Sequence, residues 1–258
     1  MKATQVKAKI ISNQRIKENY WHLEFESAAI TKNASSGQFV NIRVQDGVQP
    51  LLRRPISIHA VGGKKIKIIY EVLGPGTQIL SERKKGDFLD VIGPLGKGFD
   101  CRKTNKPVEA KNILIAGGIG VAPLVFLAQK LKSTKPVVLI GAKTKKQILC
   151  VDEFIALGCK PRLATDDGSI GFKGKATDLL KTVLEQTKAL ALFSCGPKPM
   201  LKTIARIAEE KKINAQLSLE EHMACGIGAC LGCVVLTKSG YQSVCQDGPV
   251  FSGRELIW

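Results

Sequence analysis

Aromatic residues make up only 5% of this 258-residue chain, histidine occurs three times, and no uninterrupted apolar run is long enough to cross a bilayer. Each scarcity excludes something. Nucleic-acid modules concentrate cations and interleave them with aromatic rings. Here the 30 lysines among the 39 basic residues are scattered over the whole length. The formal net charge of +17 therefore reads as solvated surface, biased toward acidic partners or anionic cofactors rather than toward nucleic acid. The first ten residues, MKATQVKAKI, alternate polar and apolar and lack the apolar stretch of a secretory signal. A cytoplasmic protein that does not associate with membranes is expected. At 44% hydrophobic and 24% charged residues the composition is that of a globular protein, and the length suits two compact domains with a small appended module.

Residues 1–103 carry the period of two that marks half-buried strands. Leu23 and Phe25 share a face, as do Val40, Ile42 and Val44, and Ile66, Ile68, Tyr70 and Val72. Turn residues break these runs, which predicts an antiparallel β-barrel. Within it, LLRRPISI (51–58) sets two arginines before a proline at the start of an apolar strand. Either this is a surface Arg pair beside an edge strand, or Arg54 holds an anion through its planar fork of donors. The string GPGT (74–77) then opens a helix expected over residues 77–85, and a helix N-terminus leaves free N–H groups for a phosphate.

After a polar connector, KTNKPVEAK (103–111), the periodicity changes. Continuous apolar strands are expected at 112–116, 137–140, 161–164 and 189–195. Between the first two lies a helix whose stripe is Leu124, Leu127, Ala128 and Leu131. Alternation of this kind predicts an α/β parallel sheet covered by helices, with ligands at the carboxyl ends of its strands. Gly118 and Gly120 follow the first strand in a partial dinucleotide fingerprint, with Pro123 where a third glycine is usual. No acid follows the second strand; GAKTKK stands there. Cys195 and Gly196 end the last strand before a helix expected over 201–212. Asp166 and Asp167 are either a turn or a ribose contact.

Four of the eight cysteines converge near the end. Cys225, Cys230 and Cys233 lie in CGIGACLGC, and Cys245 follows after eleven intervening residues. The spacing CxxxxCxxC with a distal cysteine is that of plant-type 2Fe-2S clusters. A zinc site would more usually pair two CxxC knuckles, and a disulfide framework suits a small secreted domain. Gly226, Gly228 and Gly232 are expected to permit the tight bend and the approach of N–H groups to sulfur. His222 does not make the site Rieske-like, because that chemistry needs two histidines. The organisation expected is a barrel at 1–103, an α/β domain at 104–216 and a small C-terminal 2Fe-2S module at 217–258.

A barrel carrying Arg-Pro-x-Ser, then a lobe carrying GGIGVAP and CGPKPM, resembles the ferredoxin reductase superfamily over residues 1 to about 215. That resemblance implies an FAD site lined by Arg54, Pro55, Ile56, Ser57, Ile69, Tyr70, Glu71, Gly76 and Thr77. It also implies NAD, as a diffusible substrate, facing Gly118, Gly120, Cys195 and Gly196. The strings SLEEHMACGIGACLGCVV and VCQDGPVF are similar to those of the electron-transfer subunits of NAD-dependent dihydroorotate dehydrogenases. Cys225, Cys230, Cys233 and Cys245 would then ligate a 2Fe-2S cluster. An FMN-containing catalytic subunit would be the partner, two of each forming a heterotetramer. Electrons from dihydroorotate would pass from that FMN through the cluster and FAD to NAD, in pyrimidine biosynthesis. Since redox chemistry belongs to the cofactors, no catalytic side chain is expected. The chain departs from the superfamily at Ile56, where an aromatic is frequent, and at Glu71, near which a basic residue is common. The competing reading is an NAD(P)H reductase subunit for ferredoxin, sulfide or hydrogenase partners, which GAKTKK would suit by binding a 2′-phosphate.

Overall fold

The computed structural model of the chain describes residues 3–102, 104 and 109–258, so the 103/104 boundary and most of the connector lie outside the described residues. Period-two alternation builds the first unit. Strands β1 (Thr4–Lys17), β2 (Tyr20–Glu26), β3 (Phe39–Arg43), β4 (Arg54–Gly62), β5 (Lys65–Glu71) and β6 (Phe88–Leu95) close into an antiparallel barrel in the order β1-β2-β5-β4-β3-β6. Leu23, Phe25, Val40, Ile42, Ile66 and Ile68 fill its interior and are fully buried. Closure removes both sheet edges, so no barrel strand is left with an unpaired ladder. A four-residue helix, α1 (Ala28–Thr31), follows β2 and is capped by Ser27. Helix α2 (Pro75–Glu82) begins two residues earlier than expected, because Pro75 has the φ of a first helical turn, and it stops at the extended Arg83.

The second unit is a seven-stranded sheet in the order β10-β9-β8-β7-β11-β12-β15. Its strands are β7 (Lys111–Gly117), β8 (Val137–Ala142), β9 (Pro161–Thr165), β10 (Phe172–Lys173), β11 (Ala189–Cys195), β12 (Asn214–Ser218) and β15 (Val250–Ser252). All pair in parallel except β15, which runs antiparallel to β12. Helices α3 (Val121–Lys130) and α4 (Val151–Ala156) cover one face, and α5 (Ala176–Gln186) and α6 (Lys198–Glu210) the other. Helix α6 starts before residue 201 because Pro199 is compatible with its first turn.

Two features differ from the expectation. The apolar stripe on α3 is too narrow a description: every residue from Val121 to Ala128 is buried. One side of α3 packs on β7 and β11, and the other packs on β4, with Phe126 among the barrel's core residues. The C-terminal segment is also no detached module. The 216/217 boundary falls inside β12, and after the hairpin β13 (Val234–Thr237) and β14 (Gly240–Ser243) the chain returns as β15 to the edge of the large sheet. Cys233, Val235, Val244, Cys245 and Phe251 share a core with Leu217 and Ile207.

At the amino end of α3 the strand ends crowd together. A Cβ built on Gly120 would lie 2.4 Å from the carbonyl oxygen of Cys195 and 2.7 Å from the nitrogen of Gly196. Backbone cannot move aside as a flexible side chain can. Gly120→Ala is therefore expected to destabilise the protein by about 1–3 kcal/mol, read as a lower denaturant midpoint at unchanged m-value.

Candidate functional site

The beginning of β4, the end of β5 and the start of α2 enclose a cleft of about 550 Å³ against the α3 entry and residues 218–223. Arg54, Pro55, Ile56, Ser57, Ile69, Tyr70, Glu71 and Thr77 all line it. The two adjacent arginines have separate fates. Arg53 donates to the Asp90 carboxylate at 2.6 Å and to its backbone carbonyl, bracing β6. Arg54 makes no ion pair among the described residues and lies over Gly76, where a Cβ would come within 2.2 Å of its Nε. Gly76 is thus required by the guanidinium rather than exposed in the cleft. The Thr77 hydroxyl is already engaged, accepting from the backbone N–H groups of Leu73 and Gly74. Tyr70 donates its phenol to Asn13 at 3.0 Å and, with Ile56, belongs to the barrel core. A guanidinium beside a helix N-terminus, with Ile69, Ile119 and Leu219 as apolar lining, suits a phosphate-bearing aromatic cofactor.

A second cleft of about 580 Å³ lies at the carboxyl edge of the parallel sheet, where ligands of such sheets bind. Gly118 and Gly196 line it; Gly120 and Cys195 do not. Cys195 is 1% exposed, and burial pushes its thiol well above the ordinary range, which leaves it an apolar packing group. Gly118 has φ +54° and open space at its Cβ position, so its glycine is demanded by the backbone turn. The acidic pair divides likewise: Asp166 lines the cleft, whereas Asp167 closes a turn by accepting from the Ser169 N–H and hydroxyl. Lys143 and Lys175 supply its positive charge.

Both clefts are lined by Glu71, Ile119 and Glu220, so they lie side by side against a common wall. Ile119 and Glu220 lie within GGIGVAP and SLEEHMACGIGACLGCVV without being singled out there, and Tyr20 lies in no motif; only the folded chain brings β2, β5, the end of β12 and the α3 entry to one point. Burial, followed by the charge of Glu71, raises the Glu220 carboxyl above its usual range. The Tyr20 phenol is pushed up to about 12, first by burial and then by Glu71.

The third element of the site is the cysteine loop. All four sulfurs accept a backbone N–H: Cys225 from Ile227 (3.5 Å), Cys230 from Gly232 (3.4 Å), Cys233 from Cys245 (3.4 Å) and Cys245 from Gly228 (3.1 Å). Gly226 (φ +70°) and Gly228 (φ +84°) make the bend as expected, but the third left-handed residue is Leu231 (φ +55°), not Gly232. The Cys225 thiol interacts with Cys230, and the Cys245 thiol with Cys233 and with Cys225. Among the described residues they form no group of three within 4.8 Å of one another. Burial opposes ionisation of Cys225, but hydrogen bonds from Ile227, Cys230 and Ala229 hold its thiol down at about 6. Cys245 is pushed up to about 12 by burial and by Cys233, and bound iron would hold both as thiolates. Cys233 and Cys245 are buried while Cys230 is exposed, so one side of the loop faces outward. Asn41 on β3 ties the loop to the barrel, its Nδ2 donating to the Cys225 carbonyl at 3.2 Å.

A barrel cleft beside a sheet-edge cleft, with a four-cysteine loop tied to the barrel, defines an oxidoreductase of the ferredoxin reductase fold with an added iron–sulfur site. The profile described as "Iron-sulfur cluster binding domain of dihydroorotate dehydrogenase B" matches residues 220–257. The dihydroorotate dehydrogenase B (NAD(+)) electron transfer subunit of Desulforamulus reducens is 40% identical over 97% of this chain and 97% of its own. That of Caldanaerobacter subterraneus subsp. tengcongensis is 38% identical over 98% and 99%. The chain belongs to this family of dihydroorotate dehydrogenase B electron transfer subunits. Among solved structures, the NADH-dependent reduced ferredoxin-NADP oxidoreductase superimposes with a TM-score of 0.84 and 30% identity, covering 98% of this chain and 90% of that one. A ferredoxin NADP+ reductase from Neisseria gonorrhoeae, at a TM-score of 0.66 and 16% identity over 80% and 91% of the two chains, shares the fold.

The raised Glu220 carboxyl has a consequence for stability. A group whose folded pKa lies above its unfolded value contributes fully below the unfolded value and loses that contribution as pH rises through the folded one. Glu220→Gln is expected to melt higher than the wild type at about pH 8, with the difference shrinking at about pH 4, when the two are compared by calorimetry.

Proposed function

We propose that this chain is the electron-transfer subunit through which electrons removed from dihydroorotate reach NAD, the barrel cleft holding FAD, the sheet-edge cleft NAD and the four cysteines a 2Fe-2S cluster. The observation that carries the reading is the common wall of the two clefts at Glu71, Ile119 and Glu220, with the four-cysteine loop tied to the barrel through Asn41. When bound, nicotinamide exchanges electrons in pairs, a 2Fe-2S cluster takes them singly, and FAD converts between the two. The residues of the chain position and tune. Arg54 and the α2 N-terminus would anchor the flavin pyrophosphate, and Ser57 and Ile69 would face the flavin. Gly118 and Gly196 would let the nucleotide approach the backbone. The four N–H groups on sulfur would stabilise an anionic cluster. An FMN-containing catalytic subunit would complete the enzyme, as a cytoplasmic heterotetramer with two copies of each chain. No helix among the described residues is long and apolar enough to cross a membrane.

A reductase subunit for ferredoxin partners is the second reading, favoured by the 30% identity to the ferredoxin-NADP oxidoreductase and by Lys143 in the nucleotide cleft. The deciding experiment mixes the chain with a candidate FMN subunit and follows dihydroorotate-dependent reduction of NAD and NADP. Turnover with dihydroorotate and NAD is expected; turnover with reduced ferredoxin or another donor and none with dihydroorotate would replace the first reading by the second. Gly76→Ala is a second test, because its methyl group would displace Arg54 while leaving the barrel intact. Flavin binding should weaken about tenfold or more, the worth of one charge-assisted hydrogen bond, in a fluorescence titration with FAD.

A further inference from the structure

Away from both clefts and the cysteine loop, a third set of metal-capable side chains stands where the barrel meets the second unit. His59 on β4, and Cys150 and Glu153 at the start of α4, bring one nitrogen, one sulfur and one carboxylate oxygen within 4.8 Å of one another. Among the described residues this is the one group of at least three such side chains meeting that limit. The register of β4 against β5 slips between Ile58 and Ala60, so His59 is the extra residue of a bulge, a device that re-aims a side chain. His59 is 2% exposed. Its Nδ1 lies 2.9 Å from the carbonyl oxygen of Ala122 on α3. A carbonyl only accepts, so Nδ1 carries the hydrogen, and Nε2 faces the Glu153 carboxylate at 2.7 Å.

This is the arrangement in which metal-bound imidazoles are held, one ring nitrogen donating to a backbone carbonyl and the other presented to the ion. Cys150 precedes Glu153 by three residues and has φ +61°, rare for a residue with a side chain. Neutral imidazole, thiolate and carboxylate together carry two negative charges, which a divalent cation neutralises on displacing the thiol proton and the proton between Nε2 and Glu153. The neighbouring basic groups are His22, whose ring meets His59 edge-on at 6.1 Å between centroids, and Lys67, which itself pairs with Glu24 at 3.7 Å. A mixed nitrogen, sulfur and oxygen set, reached by solvent at the 44% exposed Glu153 side chain, matches zinc better than magnesium or calcium, which take oxygen. Nε2 and the Glu153 oxygen need to part by only about half an ångström to reach the spacing of zinc ligands.

We propose that His59, Cys150 and Glu153 form a divalent-cation site of zinc type that bridges the barrel and the α/β domain. A bound ion replaces the His59–Glu153 ion pair by a coordinate link between β4 and α4. The site is independent of the iron–sulfur cysteines and of the cofactor assignment.

The test uses the protein purified with its flavin and iron, incubated with zinc chloride and desalted. Zinc and iron are then counted by mass spectrometry, and the zinc shell is read by K-edge absorption. One zinc per chain is expected at unchanged iron content, with one sulfur and two or three nitrogen or oxygen neighbours and a zinc-dependent rise in melting temperature. His59→Gln and Cys150→Ser should each weaken zinc binding by at least about tenfold. Glu153→Gln, at a side chain 44% exposed, should fold normally and abolish the thermal shift. No uptake, a shell of four sulfurs, or uptake and thermal shift unchanged in all three variants would overturn the proposal and leave an ordinary ion pair.

Discussion

The first eight residues of helix α3 have no solvent face, and the arrangement of the molecule depends on that. Eight consecutive residues, Val121 to Ala128, are buried because one side of the helix completes the sheet core and the other completes the barrel wall. A helix apolar all round gains only when both sides are taken from water, so the two units are held in one relative position. That position makes Ile119, just ahead of the helix, a wall of both clefts. Close backbone approach reinforces it: Gly120 lies against Cys195 and Gly196 with no room for a methyl group.

The cysteine loop depends on the same frame from the other side. Its outer anchor is Asn41, on a barrel strand, while its inner sulfurs lie in the core of the α/β domain through Cys233 and Cys245. Strand β15 then returns to the sheet edge beside β12. A segment of about forty residues with one short hairpin has too little apolar surface to stand alone, and sharing a core supplies what it lacks. Proximity of the three candidate centres is therefore a result of packing, not of any linker.

Much of this was legible in the residues. Period-two alternation gave the barrel, continuous apolar strands gave the parallel sheet, and the cysteine spacing selected the loop. Arg54 and Ser57 line the barrel cleft, and Gly118 lines the sheet-edge cleft. Less legible were roles that a neighbour decides. Gly76 makes room for Arg54, Thr77 holds its own loop, and Gly120 and Cys195 pack against each other rather than lining a cleft. Of two adjacent arginines, the one whose partner is Asp90, 37 residues away, braces the barrel.

By itself the sequence determined which segments become strand, helix or thiolate loop, because periodicity, glycine and cysteine spacing act within about ten residues along the chain. Only the tertiary structure decided that β15 joins the large sheet, that Glu220 and Tyr20 meet Glu71, and that His59 reaches Cys150 and Glu153. Those contacts join residues about 30 to 150 positions apart, and their energy comes from desolvation and charge at interfaces that do not exist until both surfaces have formed.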